Sequence, residues 1–130
     1  AIMYRFITMI AVFIVVSISF PKLLIAENNF PKDWCDYQDY KCLVQRYSKE
    51  YNVSARTMEK IIACESGWNP IAHNSKGEDS YGLVQINLNA HRDITVAQAV
   101  DPEFAIEFLA RHLNQGKSKM WSCARITGVS

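Results

Sequence analysis

Four cysteines constrain this chain more than any other feature: Cys35, Cys42, Cys64 and Cys123, all downstream of an apolar N-terminal run. An even number of cysteines in a small exported domain reads as two disulfides. Four cysteines allow three pairings. The favoured one joins Cys35 to Cys42, closing a small N-terminal loop, and Cys64 to Cys123, tying the middle of the chain to its C-terminal segment. By loop entropy the longer cross-link is worth about 4 kcal/mol, a useful addition to the modest core of a domain this size. The competing reading is a zinc site. The spacings Cys35-x6-Cys42 and Cys64-x58-Cys123 lack the close-set pairs that zinc sites use, so no metal is expected.

The apolar run is Phe6 to Phe20, broken only by Thr8, Ser17 and Ser19, after a short positive start at Met3-Tyr4-Arg5. Pro21-Lys22 interrupts it and Leu24-Ile25-Ala26 precedes a cleavage point. Residues 1–26 therefore read as a signal peptide. A spanning helix wants about 20 apolar residues, so an uncleaved anchor, with Leu23 to Ala26 added to the run, is the alternative. Residues 27–130 are then one exported domain, periplasmic or extracellular. Residues 1–26 hold Arg5 and Lys22 and no acid, so the remainder keeps 12 of the 14 basic side chains against 13 acidic ones, a net of −1. That excludes nucleic acid or an anionic membrane as a partner recruited by bulk charge. Any membrane contact would run through residues 3–26, and a monomer is expected.

The exported part reads as mainly α. A helix runs from about Asp36 or Asp39 to Tyr51, with Leu43, Tyr47 and Tyr51 on one face. Those tyrosines are a core stripe or, alternatively, a row on which sugars stack. Ser54 caps a second helix, Ala55 to Ser66, with Gly67 at its stop. Trp68 to Asp93 is rich in Gly, Asn, Ser and Asp, far longer than an ordinary connection, and such loops usually carry function. Ser80 to Asn87 leaves room for a short β-hairpin. Thr95 caps a short helix, Val96 to Ala99. Asp101-Pro102 starts the clearest helix, ended by Gly116, with Phe104, Ala105, Phe108, Leu109 and Leu113 on its buried face. Met120 to Ala124 is short and apolar enough to be docked by its cysteine.

One residue breaks the helical pattern. Met58, Ile61 and Ile62 form an apolar stripe, and the next position on it is Glu65. A carboxyl group held among apolar neighbours resists ionising, so its pKa rises. A raised carboxyl pKa suits a general acid near neutral pH. A solvent-facing carboxylate at a fraying helix end is the alternative.

Glu65-Ser66-Gly67, then Pro70, Asn74 and Gly77, then Gly82-Leu83-Val84-Gln85-Ile86 resembles the catalytic core of lytic transglycosylases and goose-type lysozymes. Val84 stands where Met is usual, and His91 matches a histidine that the goose-type enzymes place at that spacing. The resemblance covers Ser54 to Leu113 and includes the Asp101-Pro102 helix start. It implies a lysozyme-like fold, with a small helical domain around a long irregular cleft loop. It also implies cleavage of the β-1,4 bond between N-acetylmuramic acid and N-acetylglucosamine in peptidoglycan, with no cofactor. Glu65 would be acid and then base, with an anhydro-muramoyl product. Ser66, Tyr81, Gly82, Leu83, Gln85 and Asn87 would bind the glycan, and Trp68 offers a further flat face.

The goose-type enzymes hydrolyse the same bond with help from aspartates in this loop. Asp79, or Glu78 beside it, would be the second carboxylate of such a hydrolase. A non-catalytic glycan-binding module is the third reading. Many lytic transglycosylases also carry an Ala-Tyr-Asn-Ala-Gly-like segment in a later helix. This chain has none, which leaves Tyr81 or Trp121 to stand in for that tyrosine. His73, His91 and His112 are too dispersed in sequence to suggest a metal.

Overall fold

The main helices begin at side chains that accept from the otherwise unpaired N–H groups of the first turn. The computed structural model of the protein describes residues 35–128, which form one compact unit. Asp39 caps α1 (Tyr40–Glu50) by accepting from Cys42 N, and Ser54 caps α2 (Ala55–Ser66) by accepting from Thr57 N. α2 stops at Gly67, which takes the left-handed conformation at φ 59°. Thr95 and Gln98 form a reciprocal capping box on α3 (Val96–Ala99). Asp101 caps α4 (Pro102–Asn114), with proline in its first turn. A 3-10 turn (Ser118–Met120) leads into α5 (Ser122–Ile126). The export segment expected at residues 1–26 lies outside the described residues. Among those described, no helix is long and apolar enough to cross a membrane.

Between α2 and α3 the long loop folds into a small antiparallel sheet of order β1-β2-β3. Its strands are β1 (His73–Asn74), β2 (Ser80–Tyr81) and β3 (Ile86–Asn87), with His73 opposite Tyr81 and Ser80 opposite Asn87. The hairpin expected over 80–87 is β2–β3. The strand at His73–Asn74 is an addition, since two residues carry no alternation from which to read it.

The core lies where α1, α2 and α4 meet the loop. Leu43, Val44, Met58, Ile61, Ile62, Ile106 and Leu109 are buried there with Leu83, Val84 and Ile86. α4 packs against both α1 and α3, so Ile106 and Ala110 are buried beyond the face expected for it, while Phe104 and Leu113 are only partly covered. Tyr47 of α1 is a core residue, as its stripe suggests. Its hydroxyl donates to Glu103 of α4 at 2.9 Å, and Arg46 pairs with the same carboxylate. Arg46 holds the Glu103 carboxyl below its ordinary pKa. One turn on, Tyr51 donates to Glu107 at 2.8 Å.

Both disulfides form in the favoured pairing, with Cα–Cα separations of 5.6 Å for Cys35–Cys42 and 5.8 Å for Cys64–Cys123. Replacing Cys64 and Cys123 by alanine is expected to lower the unfolding free energy by about 4 kcal/mol, against about 2 kcal/mol for Cys35 and Cys42, because the closed loops span 59 and 7 residues. Urea denaturation of the oxidised proteins measures both, and equal losses would contradict the ordering.

Candidate active site

The apolar stripe of α2 runs on from Met58, Ile61 and Ile62 to Glu65, which is half-buried. Its cover comes from the other end of the chain. The Cys64–Cys123 disulfide pins the first turn of α5 across the last turn of α2. Cys123 N–H then donates to Glu65 Oε1 at 3.1 Å. Trp121, buried just before it, donates from Nε1 to Val84 O at 2.8 Å. One short segment therefore touches the helix end, the carboxylate and the glycine-bearing loop. Burial pushes the Glu65 carboxyl above its ordinary pKa. The Cys123 N–H pulls it down, the negative charge of Glu78 pushes it up, and the balance is upward.

A cavity of about 300 Å³ opens in front of this carboxyl, lined by Glu65, Glu78, Gln85, Asn87, His91 and Trp121 among others. Gln85 holds the left-handed conformation at φ 50°, unusual for a residue with a Cβ. Its own amide compensates, donating to Ala72 O at 3.2 Å and Gly82 O at 3.0 Å. Those bonds occupy its nitrogen and leave Oε1 as an acceptor. Asn87 is the reverse case. Its Oδ1 accepts from Asn89 N at 2.9 Å, leaving the amide nitrogen to donate. An acetamido group, with one N–H and one carbonyl, is the complement of that pair.

Several residues expected to meet the glycan have other work. Leu83 is fully buried, so its side chain belongs to the core. Ser66 Oγ lies 2.7 Å from Leu83 O and 3.2 Å from Ile62 O, so its proton ties the end of α2 to the loop. A Cβ on Gly82 would come 1.9 Å from Ala99 O, and its φ is +81°. The close approach that demands glycine there is to α3, within the protein. Tyr81 stacks on His73 at 4.1 Å, with ring planes 7° apart, and does not line the cavity. Trp68 packs against the core with the Lys41 ammonium 5.9 Å from its ring centre, also away from the cavity.

Asp79 likewise sits apart from Glu65, with its Oδ1 2.9 Å from His73 Nε2. The carboxylate that does share the cavity is Glu78, held by Asn74 Nδ2 at 2.7 Å. His91 and His112, far apart in sequence, bring their rings within 6.1 Å of one another, against Phe108 and near Trp121. Of the two candidates for the missing tyrosine, Trp121 borders the cavity and Tyr81 does not. Ile86, Ala90 and Phe108 also line it, as do Met120 and Ser122, two residues that the sequence reading did not single out as lining the cavity. Their signal was adjacency. Whatever flanks Cys123 must lie beside Glu65 once Cys123 is bonded to Cys64.

The family model of the transglycosylase SLT domain matches residues 42–125, which takes in Glu65, the whole loop and Trp121. No curated protein and no solved structure matches the chain.

Glu78→Gln is expected to lower the pKa of Glu65, because it removes a negative charge that opposes ionisation. Asp79→Asn should leave it in place, as Asp79 does not act on Glu65. A carbon-13 NMR titration of the Glu65 carboxyl reads both, and the reverse pattern would make Asp79 the interacting group. Gly82→Ala is expected to destabilise the fold by about 3 kcal/mol, combining the left-handed backbone with overpacking. Thermal unfolding followed by circular dichroism checks this.

Proposed function

The chain belongs to the transglycosylase SLT domain family, a family of peptidoglycan lytic transglycosylases, and we propose that it cuts the β-1,4 bond from N-acetylmuramic acid to N-acetylglucosamine with Glu65 as its acid and base. The observation that carries this is the half-buried Glu65 carboxyl, its pKa raised by burial, at the wall of a cavity beside the amides of Gln85 and Asn87. The protonated carboxyl delivers its proton to the bridging oxygen as the bond to the anomeric carbon breaks. The N-acetyl carbonyl of the muramoyl sugar stabilises the positive charge that develops there. The amide pair at Gln85 and Asn87 is suited to hold that acetamido group in place.

The Glu65 carboxylate, now a base, takes the proton of the same sugar's primary hydroxyl. That oxygen bonds to the anomeric carbon and closes the anhydro ring. Glu65 ends protonated, as it began, and no water is consumed. Cys123 N–H stabilises the intermediate carboxylate. Action on a wall polymer places the domain outside the cytoplasm, in the periplasm or beyond, where both disulfides are stable.

Glu78 supports a second reading, a lysozyme-type hydrolase. A second carboxylate sharing the cavity can activate water, and Glu78 rather than Asp79 has that position.

Product mass spectrometry separates these readings. The oxidised chain is incubated with peptidoglycan beside Glu65→Gln. The expected result is muropeptides one water lighter than hydrolysed ones, with release reduced by at least about 100-fold in the variant, the scale of a lost general acid. Reducing-end products would establish the hydrolase and make Glu78 the next residue to change. Binding without release by either protein would identify a glycan-binding module.

A further inference from the structure

The corner between α1 and α2 carries a pattern that the cleft does not use: Glu50-Tyr51-Asn52-Val53-Ser54. Asn-x-Ser, with x other than proline, is the acceptor pattern for N-linked glycosylation of exported chains. The chain holds one such pattern. Bacterial oligosaccharyltransferases ask in addition for an acid two residues before the asparagine, and Glu50 has that place.

The acceptor lies where a glycan fits. Glu50, Asn52 and Ser54 are exposed, while Tyr51 and Val53 between them pack against the core. Asn52 follows the C-cap of α1 in the left-handed conformation, at φ 51°. Asparagine is at home there, but that role uses its backbone alone. Among the described residues the Asn52 carboxamide makes no hydrogen bond. From Ala55 to Glu65 the rise of α2 is about 15 Å. A glycan at this corner therefore stands at the far end of α2 from Glu65 and leaves the cavity open.

Transfer needs the pattern as an extended segment, with the serine hydroxyl bonded to the transferase. The fold locks that segment. Val53 N–H donates to Ser48 O at 2.9 Å, and Tyr51 O accepts from Asn114 Nδ2 at 2.9 Å. Ser54 Oγ accepts from Thr57 N at 3.2 Å, as the cap of α2.

We propose that Asn52 is an N-glycosylation site, filled during export and before α1 and α2 close on their corner. In the transfer step Asn52 Nδ2 bonds to the anomeric carbon of an oligosaccharide carried on a lipid pyrophosphate. The lipid pyrophosphate leaves with the electrons of the broken bond, and the amide gives up one proton. The modification requires export of the chain and is independent of the reaction at Glu65.

The test incubates the full chain in detergent with a purified bacterial oligosaccharyltransferase and its lipid-linked oligosaccharide, and reads intact mass. One sample is folded and oxidised. The other has its cysteines reduced and alkylated, and circular dichroism verifies that it is unfolded. The expected result is one glycan on the unfolded chain, mapped to Asn52. Transfer to the folded chain should be at least about tenfold slower, because the corner must first open. Asn52→Gln and Ser54→Ala should each abolish transfer to the unfolded chain, and Glu50→Gln should slow it severalfold. The variants are compared unfolded, so a folding defect cannot imitate a lost acceptor. An unfolded wild-type chain left unmodified, beside a control peptide that is modified, overturns the site. Equal rates on the folded and unfolded chains overturn the order of events, and an undiminished rate in Glu50→Gln overturns the part given to the acid.

Discussion

A carboxyl group at the exposed end of a helix would ionise like any other. What prevents that here is a covalent constraint one residue away. The Cys64–Cys123 bond holds the C-terminal segment against the last turn of α2, and Glu65 is half-buried beside it. The same clamp fixes the two other contacts of that segment, the Cys123 N–H on the carboxylate and the Trp121 indole on Val84 O. Three kinds of bond, from residues 121 to 123, thus join the acid, the loop and the cavity wall. The remaining architecture serves to keep that junction in register. Ser66 ties α2 to Leu83 O, and Gly82 lets the loop press against α3.

α4 is the second support, and it is positioned from the side away from the cleft. Arg46 and Tyr47 of α1, and Tyr51 at its C-cap, reach Glu103 and Glu107 of α4. Arg46 is largely buried while Glu103 is about two-fifths exposed, so solvent screens part of the pairing. The gain is chiefly one of geometry. By fixing α4 along α1, these bonds set where Phe108 and His112 stand behind His91 and Trp121. Burial lowers the pKa of His112, aided by the nearby cationic side chains, and its Nδ1–H donates to Phe108 O at 2.8 Å. The ring behind the cavity is therefore neutral near pH 7 and adds no positive charge that would ionise Glu65.

The helices were legible in the sequence because each carries its own local signals: a capping side chain, a stripe, a stop. Glu65 was legible for the opposite reason, as the one polar group on an apolar stripe. The loop was not, and the cause is physical. Glu78 and Asp79 are neighbours, and near a strand successive side chains point to opposite faces. A one-residue difference decides which carboxylate meets Glu65, and composition cannot resolve that. Gly82 and Ser66 were legible as special positions but not for their reasons, since Ala99 and Leu83 lie 17 residues away from them in the chain. The meeting of His91 with His112 depends on how α4 docks, which no local pattern encodes.

The balance at Glu65 explains why burial is only partial. The role proposed for Glu65, to give a proton and then take one back in the same turnover, needs a pKa near the working pH, because a group that binds the proton too tightly is a poor acid and one that binds it too weakly is a poor base. Burial and Glu78 act in one direction, while the Cys123 N–H acts in the other. That donor is aimed at Oε1, so it favours the carboxylate once formed without supplying a compensating positive charge. A lysine or arginine in its place would have held the group ionised and left it unable to play the proposed acid role. A single backbone N–H is a weaker counterweight, and the disulfide next to it keeps that counterweight at hydrogen-bonding distance.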